Sequence, residues 1–375
     1  MIERRAMLFM NTTVSFQLLR FTCFFWSVFA FAACSYNAMD LRVVNLSDKS
    51  EMADSVSSQV QKEFPLPSEP HFVKAFDENR WIIGNHESVW ITQDAGQTWS
   101  KTFTPSNSDG KPINVRGASF GPNGRVFLAT DTSLIKSYDA GLTWGDEIVL
   151  NFQPDAIYFL DDYSGWAVVT EFGDNIRSRS WRSGAIFRTQ DGGFTWNSCK
   201  ILDREKLGAK LGNWWLSDLL VLASGRGLAV GDGVILSTED FGDTWKLTSA
   251  TPYKYLKVNF RNDVAWALTV GNDVISISND NGASWKDIKV PDNRADVLFA
   301  EFIDRKHAVL GMNRLFLTHD GGKHWTVSDS AYYTFHVEVL ESKALLRLVI
   351  IDEKSFAEVS IDKGRTWKPL SEYKL

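Results

Sequence analysis

Seven aspartates, Asp94, Asp139, Asp191, Asp240, Asp280, Asp320 and Asp362, each follow a Ser or Thr by two residues, precede a Gly by two and precede a Trp by five. A series of carboxylates could ligate a cation or act as general acids and bases. The spacing argues otherwise, because successive aspartates stand 45, 52, 49, 40, 40 and 42 positions apart, so each belongs to its own unit. Within a unit, a carboxylate and a hydroxyl that accept turn amides, a Gly free to take positive φ and a Trp that wedges between strands describe a hydrogen-bonded corner. All seven are therefore expected to be structural. The residue before each Trp is Thr or Ser except in the sixth copy, which has His324.

The remaining reactive residues form no recognisable constellation. The six histidines are scattered over several repeats without zinc spacing, and Cys23, Cys34 and Cys199 show no CxxC pairing. No phosphate loop, nucleophile elbow or dinucleotide fingerprint is visible. No catalytic residue, metal or cofactor is expected. With 40 Lys plus Arg against 46 Asp plus Glu, the net charge of −6 disfavours a nucleic-acid partner.

A period of 40 to 52 residues belongs to propellers and solenoids rather than to independent domains. Each repeat presents three short apolar stretches before its corner. In the third these are Ala156 to Leu160, Trp166 to Val169 and Ala185 to Arg188, and Trp81, Trp166 and Trp266 occupy the same second-stretch position. A fourth stretch follows each corner Trp, as in Lys246-Leu247-Thr248. Short β-branched and aromatic runs between turn residues read as strands, so each repeat is a four-stranded antiparallel sheet that must bury both faces on its neighbours. The expected fold is all-β, a single seven-bladed β-propeller over residues 70–375.

Ahead of it, Phe21 to Ala33 is an apolar run preceded by Arg4, Arg5 and Arg20, the layout of a secretory signal over residues 1–33. It ends Phe31-Ala32-Ala33-Cys34-Ser35, which resembles a bacterial lipobox with Cys34 as the acylated first mature residue. The alternative is signal-peptidase cleavage after Ala30-Phe31-Ala32, leaving Cys34 as a thiol. Residues 34–69, rich in Ser, Asp, Glu and Lys between Ser47 and Pro70, read as a solvated tether. Loss of residues 1–33, which hold three Arg and one Glu, takes the net charge from −6 to −8. The expected location is the outer membrane, by lipid anchor, facing the periplasm or the cell surface, or else a soluble periplasmic or secreted state.

The corners, written Ser/Thr-x-Asp-x-Gly-x-Thr-Trp, resemble the Asp-box, or bacterial neuraminidase repeat, of sialidases, xyloglucanases, sortilin-type receptors and the photosystem II assembly factor family. Seven consecutive boxes with phrases such as Gly165-Trp166-Ala167-Val168 look most like the last group. That resemblance implies an exported propeller that binds protein without performing chemistry. A sialidase would need three arginines and usually carries Arg-Ile-Pro before its first box, and this chain has no Arg-Ile-Pro.

In such a blade the box joins strands three and four, so the long insertions between strands two and three, and between blades, occupy the opposite face. Two stand out, Phe172 to Ser183 and Lys200 to Asn213, and they should be neighbours. The first holds Arg177, Arg179, Trp181 and Arg182 and the second leads to Trp214 and Trp215, with Tyr253, Tyr255, Tyr332 and Tyr333 in inter-blade loops on the same side. Arg and Trp dominate interface hot spots. The expected partner is an envelope or periplasmic protein or peptide, with an acidic segment the natural guest, and a toxin is one such guest. The bland reading is that Trp214 and Trp215 begin a buried strand. The functional alternative is a glycan-binding or glycoside-hydrolysing propeller.

Overall fold

The computed structural model describes residues 72–370 apart from 78, 97, 107–109, 112, 146, 173–181, 292–296, 313, 329–332, 341 and 352–353. The expected signal, tether and Cys34 lie outside the described residues. The described chain is nearly all β. Strand order follows chain order in every four-stranded sheet, and neighbouring strands are antiparallel. The third repeat is representative, with strands Ala156–Phe159, Gly165–Phe172, Arg182–Thr189 and Asn197–Ser198. Its apolar alternation explains the arrangement. Trp166 and Val168 face one neighbouring sheet and Ala167 the other, and all three are buried.

Five repeats form separate four-stranded sheets, whereas the fourth and fifth are joined in one. The joint is Thr244–Arg261, an 18-residue strand. Its beginning pairs with the end of Gly227–Thr238, and its end pairs with Val264–Thr269. Gly227–Thr238 itself doubles back at Gly233, whose φ is 75°. Its first half pairs with Leu216–Val221, and a Cβ on Gly227 would lie 2.9 Å from Thr238 Cγ2. The fourth strand expected at Lys246 to Thr248 is thus only the start of a continuous ribbon. A segment expected to be an inter-blade loop is strand.

First strands of successive repeats adjoin, and the last, Tyr333–Val339, adjoins the first, Phe72–Ala75, which closes a ring. Ala75 and Trp81 pack with Ala344, Leu346, Val359 and Leu370 across that seam. Lys74 Nζ donates to Glu338 Oε1 at 2.8 Å beside it. The architecture is a β-propeller of four-stranded antiparallel units.

The Lys200 to Asn213 insertion contains a two-residue strand, Lys200–Ile201, parallel to Thr244–Trp245, and an eight-residue helix, Arg204–Leu211. Leu207 of that helix packs with Ile201, Trp214 and Trp245. The insertion therefore covers the outside of the fourth repeat.

Candidate functional site

Every corner aspartate uses both oxygens within its own turn. In the third repeat Asp191 Oδ1 accepts the Thr189 hydroxyl at 2.8 Å and the Thr195 amide at 2.9 Å, while Oδ2 accepts the Thr195 hydroxyl at 2.5 Å. Gly193 N–H closes the corner on Thr189 Oγ1 at 2.8 Å, with φ of 97° at Gly193. The same hydroxyl bond from the preceding Ser or Thr reaches Asp94, Asp139, Asp240, Asp280, Asp320 and Asp362. At Asp320 the His324 ring takes the place of the second hydroxyl, with Nδ1 2.6 Å from Oδ2.

These bonds hold the carboxylates ionised. The Thr195 hydroxyl first, then its amide, lowers Asp191 to about 2, and the Ser278 and Ser284 hydroxyls do the same for Asp280. Burial acts to raise Asp94, Asp139, Asp240 and Asp362, but hydroxyl and amide bonds outweigh it and keep all four low. Among the described residues no three His, Cys, Asp or Glu side chains are grouped to hold a metal ion.

The antiparallel order puts the second-to-third connection and the inter-repeat connection on the face away from these corners. The two insertions meet there. Arg182 N–H donates to Asn213 Oδ1 at 2.9 Å, and Trp214 N–H donates to the Arg182 carbonyl at 3.1 Å. Arg204 Nη2 bridges Glu171 and the Ser183 hydroxyl at 2.5 and 2.7 Å. The Arg182 guanidinium lies over the Phe172 ring at 5.5 Å and over the Trp215 ring at 5.8 Å, and Lys254 Nζ lies 5.3 Å from the Trp215 ring. A cation stacked on rings keeps its in-plane N–H donors directed outward, which suits carboxylate capture. Gly231 lets the Trp215 backbone approach, since a Cβ there would lie 1.8 Å from the Trp215 carbonyl oxygen, and the Asp232 N–H donates to that oxygen at 2.9 Å.

Of the residues singled out in the sequence, Arg182 and Trp215 come together as expected. Arg177, Arg179, Trp181 and Tyr332 lie outside the described residues, and of Tyr333 only the backbone, paired with Ile350, is described. Tyr253 is half-buried and its hydroxyl donates to Asp287 at 3.0 Å. Two expectations are corrected. Trp214 is fully buried among Trp166, Leu207 and Trp245, and Tyr255 is buried with its hydroxyl 3.0 Å from Ser276 Oγ. Neither presents a surface to a partner. Tyr255 turns inward because it sits in the continuous ribbon, where alternation sends Tyr253 and Tyr255 to one side and Lys254 to the other. Phe172 and Lys254 complete the patch and were missed; the same alternation could have found Lys254.

A second constellation, unexpected from the sequence, lies where the first strands converge. Glu301, of the strand Phe299–Phe302, is buried, with Asn259 Nδ2 3.3 Å and Arg261 Nη2 3.9 Å away. Glu338 is buried too, and it has Lys74 at 2.8 Å and His336 at 3.6 Å. Burial first, and then the charge of Glu338, pushes Glu301 up to about 8. Burial also opposes ionisation of Glu338, but Lys74 and His336 outweigh it and keep its pKa low. The two carboxyls are thus pushed apart, Glu301 upward and Glu338 downward. Burial likewise lifts Asp218 to about 6, against Lys257.

No family model matches the chain. A chloroplast photosystem II stability/assembly factor of Arabidopsis thaliana, HCF136, is 24% identical over 334 residues, covering 72% of this chain and 81% of the relative. Among solved structures, YCF48 bound to a D1 peptide superposes with a TM-score of 0.55 at 18% identity, over 77% of this chain and 91% of that one. YCF48 from Cyanidioschyzon merolae gives 0.55 at 16%, over 79% and 97%. The β-propeller domain of Cps50 (Swd1) from Myceliophteria thermophila gives 0.57 at 9%, over 80% and 98%. The chain is thus a β-propeller with weak sequence similarity to a photosystem II assembly factor.

Proposed function

We propose that the chain is a non-enzymatic scaffold, an Asp-box propeller of seven blades, that binds an acidic segment of a protein partner on the face away from the boxes. The observation carrying this reading is the stack of Phe172, Arg182, Trp215 and Lys254 where the two insertions meet. Similarity to a peptide-bound YCF48 propeller supports a protein or peptide guest. The lipid anchor at Cys34, a place in the cell envelope and a toxin as guest belong to the same reading and rest on the sequence alone.

The test is titration of the full chain with a synthetic Asp/Glu-rich peptide. Arg177→Ala, Arg179→Ala and Arg182→Ala together should weaken binding by about tenfold or more while leaving the melting temperature unchanged. Unchanged affinity would overturn the assignment of this face.

One observation favours a second reading, a glycan-binding or glycoside-hydrolysing propeller. Glu301, raised, beside Glu338, lowered, has the opposed pKa shifts of an acid–base carboxylate pair. Against it, both are buried and Glu338 is engaged by Lys74. Turnover of sialosides or β-glucans, lost in Glu301→Gln, would favour that reading over the scaffold.

A further inference from the structure

On the box face of the last two repeats, side chains from three turns converge. His307 lies in the turn before the strand Ala308–Gly311, His319 follows the strand Leu315–Thr318, and Lys363 and Arg365 follow the strand Lys354–Ser360. Lys363 Nζ is 3.0 Å from His307 Nδ1 and 3.4 Å from Asp304 Oδ2. The His307 and His319 rings meet edge to face with centroids 5.4 Å apart.

The cluster is rich in donors and short of acceptors. Asp304 already accepts the Lys306 and His307 amides at 2.8 and 2.9 Å and contacts the His307 ring at 2.8 Å. Asp320 is committed to its own corner and to His324. Lys363 and Arg365 alone can offer more N–H groups than these carboxylates have positions left. Burial lowers the His319 pKa first, and Arg365, His307 and Lys363 depress it further, with only Asp320 opposing. His319 Nδ1 is buried and has no hydrogen-bond partner among the described residues.

We propose that this cluster binds a single oxyanionic group, a carboxylate or a phosphate, between Lys363, Arg365 and the two histidines. An oxyanion supplies the missing acceptor and takes charge-assisted hydrogen bonds from lysine, arginine and imidazolium alike. It also offsets the repulsion from Arg365, His307 and Lys363 that adds to burial in lowering the His319 pKa. Binding therefore strengthens as pH falls through the His319 pKa, and by linkage the bound anion raises that pKa. The site stands on the face opposite the aromatic patch and does not depend on that patch being a docking surface.

The test follows the histidine ring resonances of the full chain by NMR from about pH 4.5 to about 8.5, in chloride, acetate and inorganic phosphate at matched ionic strength. Phosphate or acetate should raise the His319 midpoint by about one unit relative to chloride, equivalent to roughly tenfold tighter binding to the protonated ring. A shift in phosphate alone identifies a phosphate ligand; a shift in acetate identifies a carboxylate. Lys363→Asn, which suits the positive φ of 61° at that position, should abolish the shift. Identical His319 titrations in the three salts, or a full shift in the Lys363→Asn chain, would overturn the proposal. If that variant does not fold, the comparison of salts on the unaltered chain decides alone.

Discussion

Replacing Trp245 with alanine is expected to cost about 3–5 kcal/mol of stability, a large share of what a folded chain has to spare. The indole is fully buried, its Nε1 donates to the Gly242 carbonyl at 3.0 Å, and it packs against Trp166, Trp214, Ile201 and Leu207. Truncation would leave a cavity under the Lys200–Ile201 strand and the Arg204–Leu211 helix, both of which lie over it. The other six corner tryptophans are only partly buried, because no comparable insertion covers them. Trp285→Ala should therefore cost clearly less than Trp245→Ala. Urea unfolding of the two variants measures the difference, and equal losses would contradict the covering role given to the insertion.

Glu301→Gln should remove Glu301's share of the stability that the natural chain loses as pH rises, leaving the share of Asp218, which burial also raises. Glu301 is pushed up to about 8 from 4.5 by burial and by Glu338. A folded pKa above the unfolded one means that the folded state holds a proton the unfolded state releases. The stabilisation is complete below pH 4.5, declines above it, and is lost as pH rises through about 8. Gln mimics the neutral acid. The two chains should melt alike near the lower limit and diverge toward alkaline pH, with Gln ahead by on the order of a few kcal/mol. Parallel melting profiles would show that Glu301 is ionised throughout and that the proton sits elsewhere.

Much of the fold was legible because its fasteners are local. A carboxylate, a hydroxyl and a glycine within eight residues form a corner whatever surrounds them, so Asp94 to Asp362 could be read one by one. Second strands were legible through Trp81, Trp166 and Trp266, all buried as their shared position implied. What escaped depends on contacts between repeats. The continuity of Thr244–Arg261 cannot be seen in its residues, and from it follow both the burial of Tyr255 and the outward turn of Lys254. Trp214 sits beside Trp215 in sequence just ahead of the strand Leu216–Val221, yet one is buried and the other half-exposed. Lys74, Glu301 and Glu338 meet only because the ring closes, with Lys74 and Glu338 separated by 264 positions.

The central claim is that the corners hold the ring and the opposite face recognises the partner. The corner face does offer exposed rings of its own, Tyr138, Tyr163 and Phe194, so the claim is open to direct contradiction. The decisive measurement is hydrogen–deuterium exchange of the full chain with and without the acidic peptide. Protection should appear around Phe172 and Arg182 and at Trp215 and Lys254, with exchange at the seven corners unchanged. Protection centred on the corners of the second and third repeats, with none at Arg182 or Trp215, would contradict it.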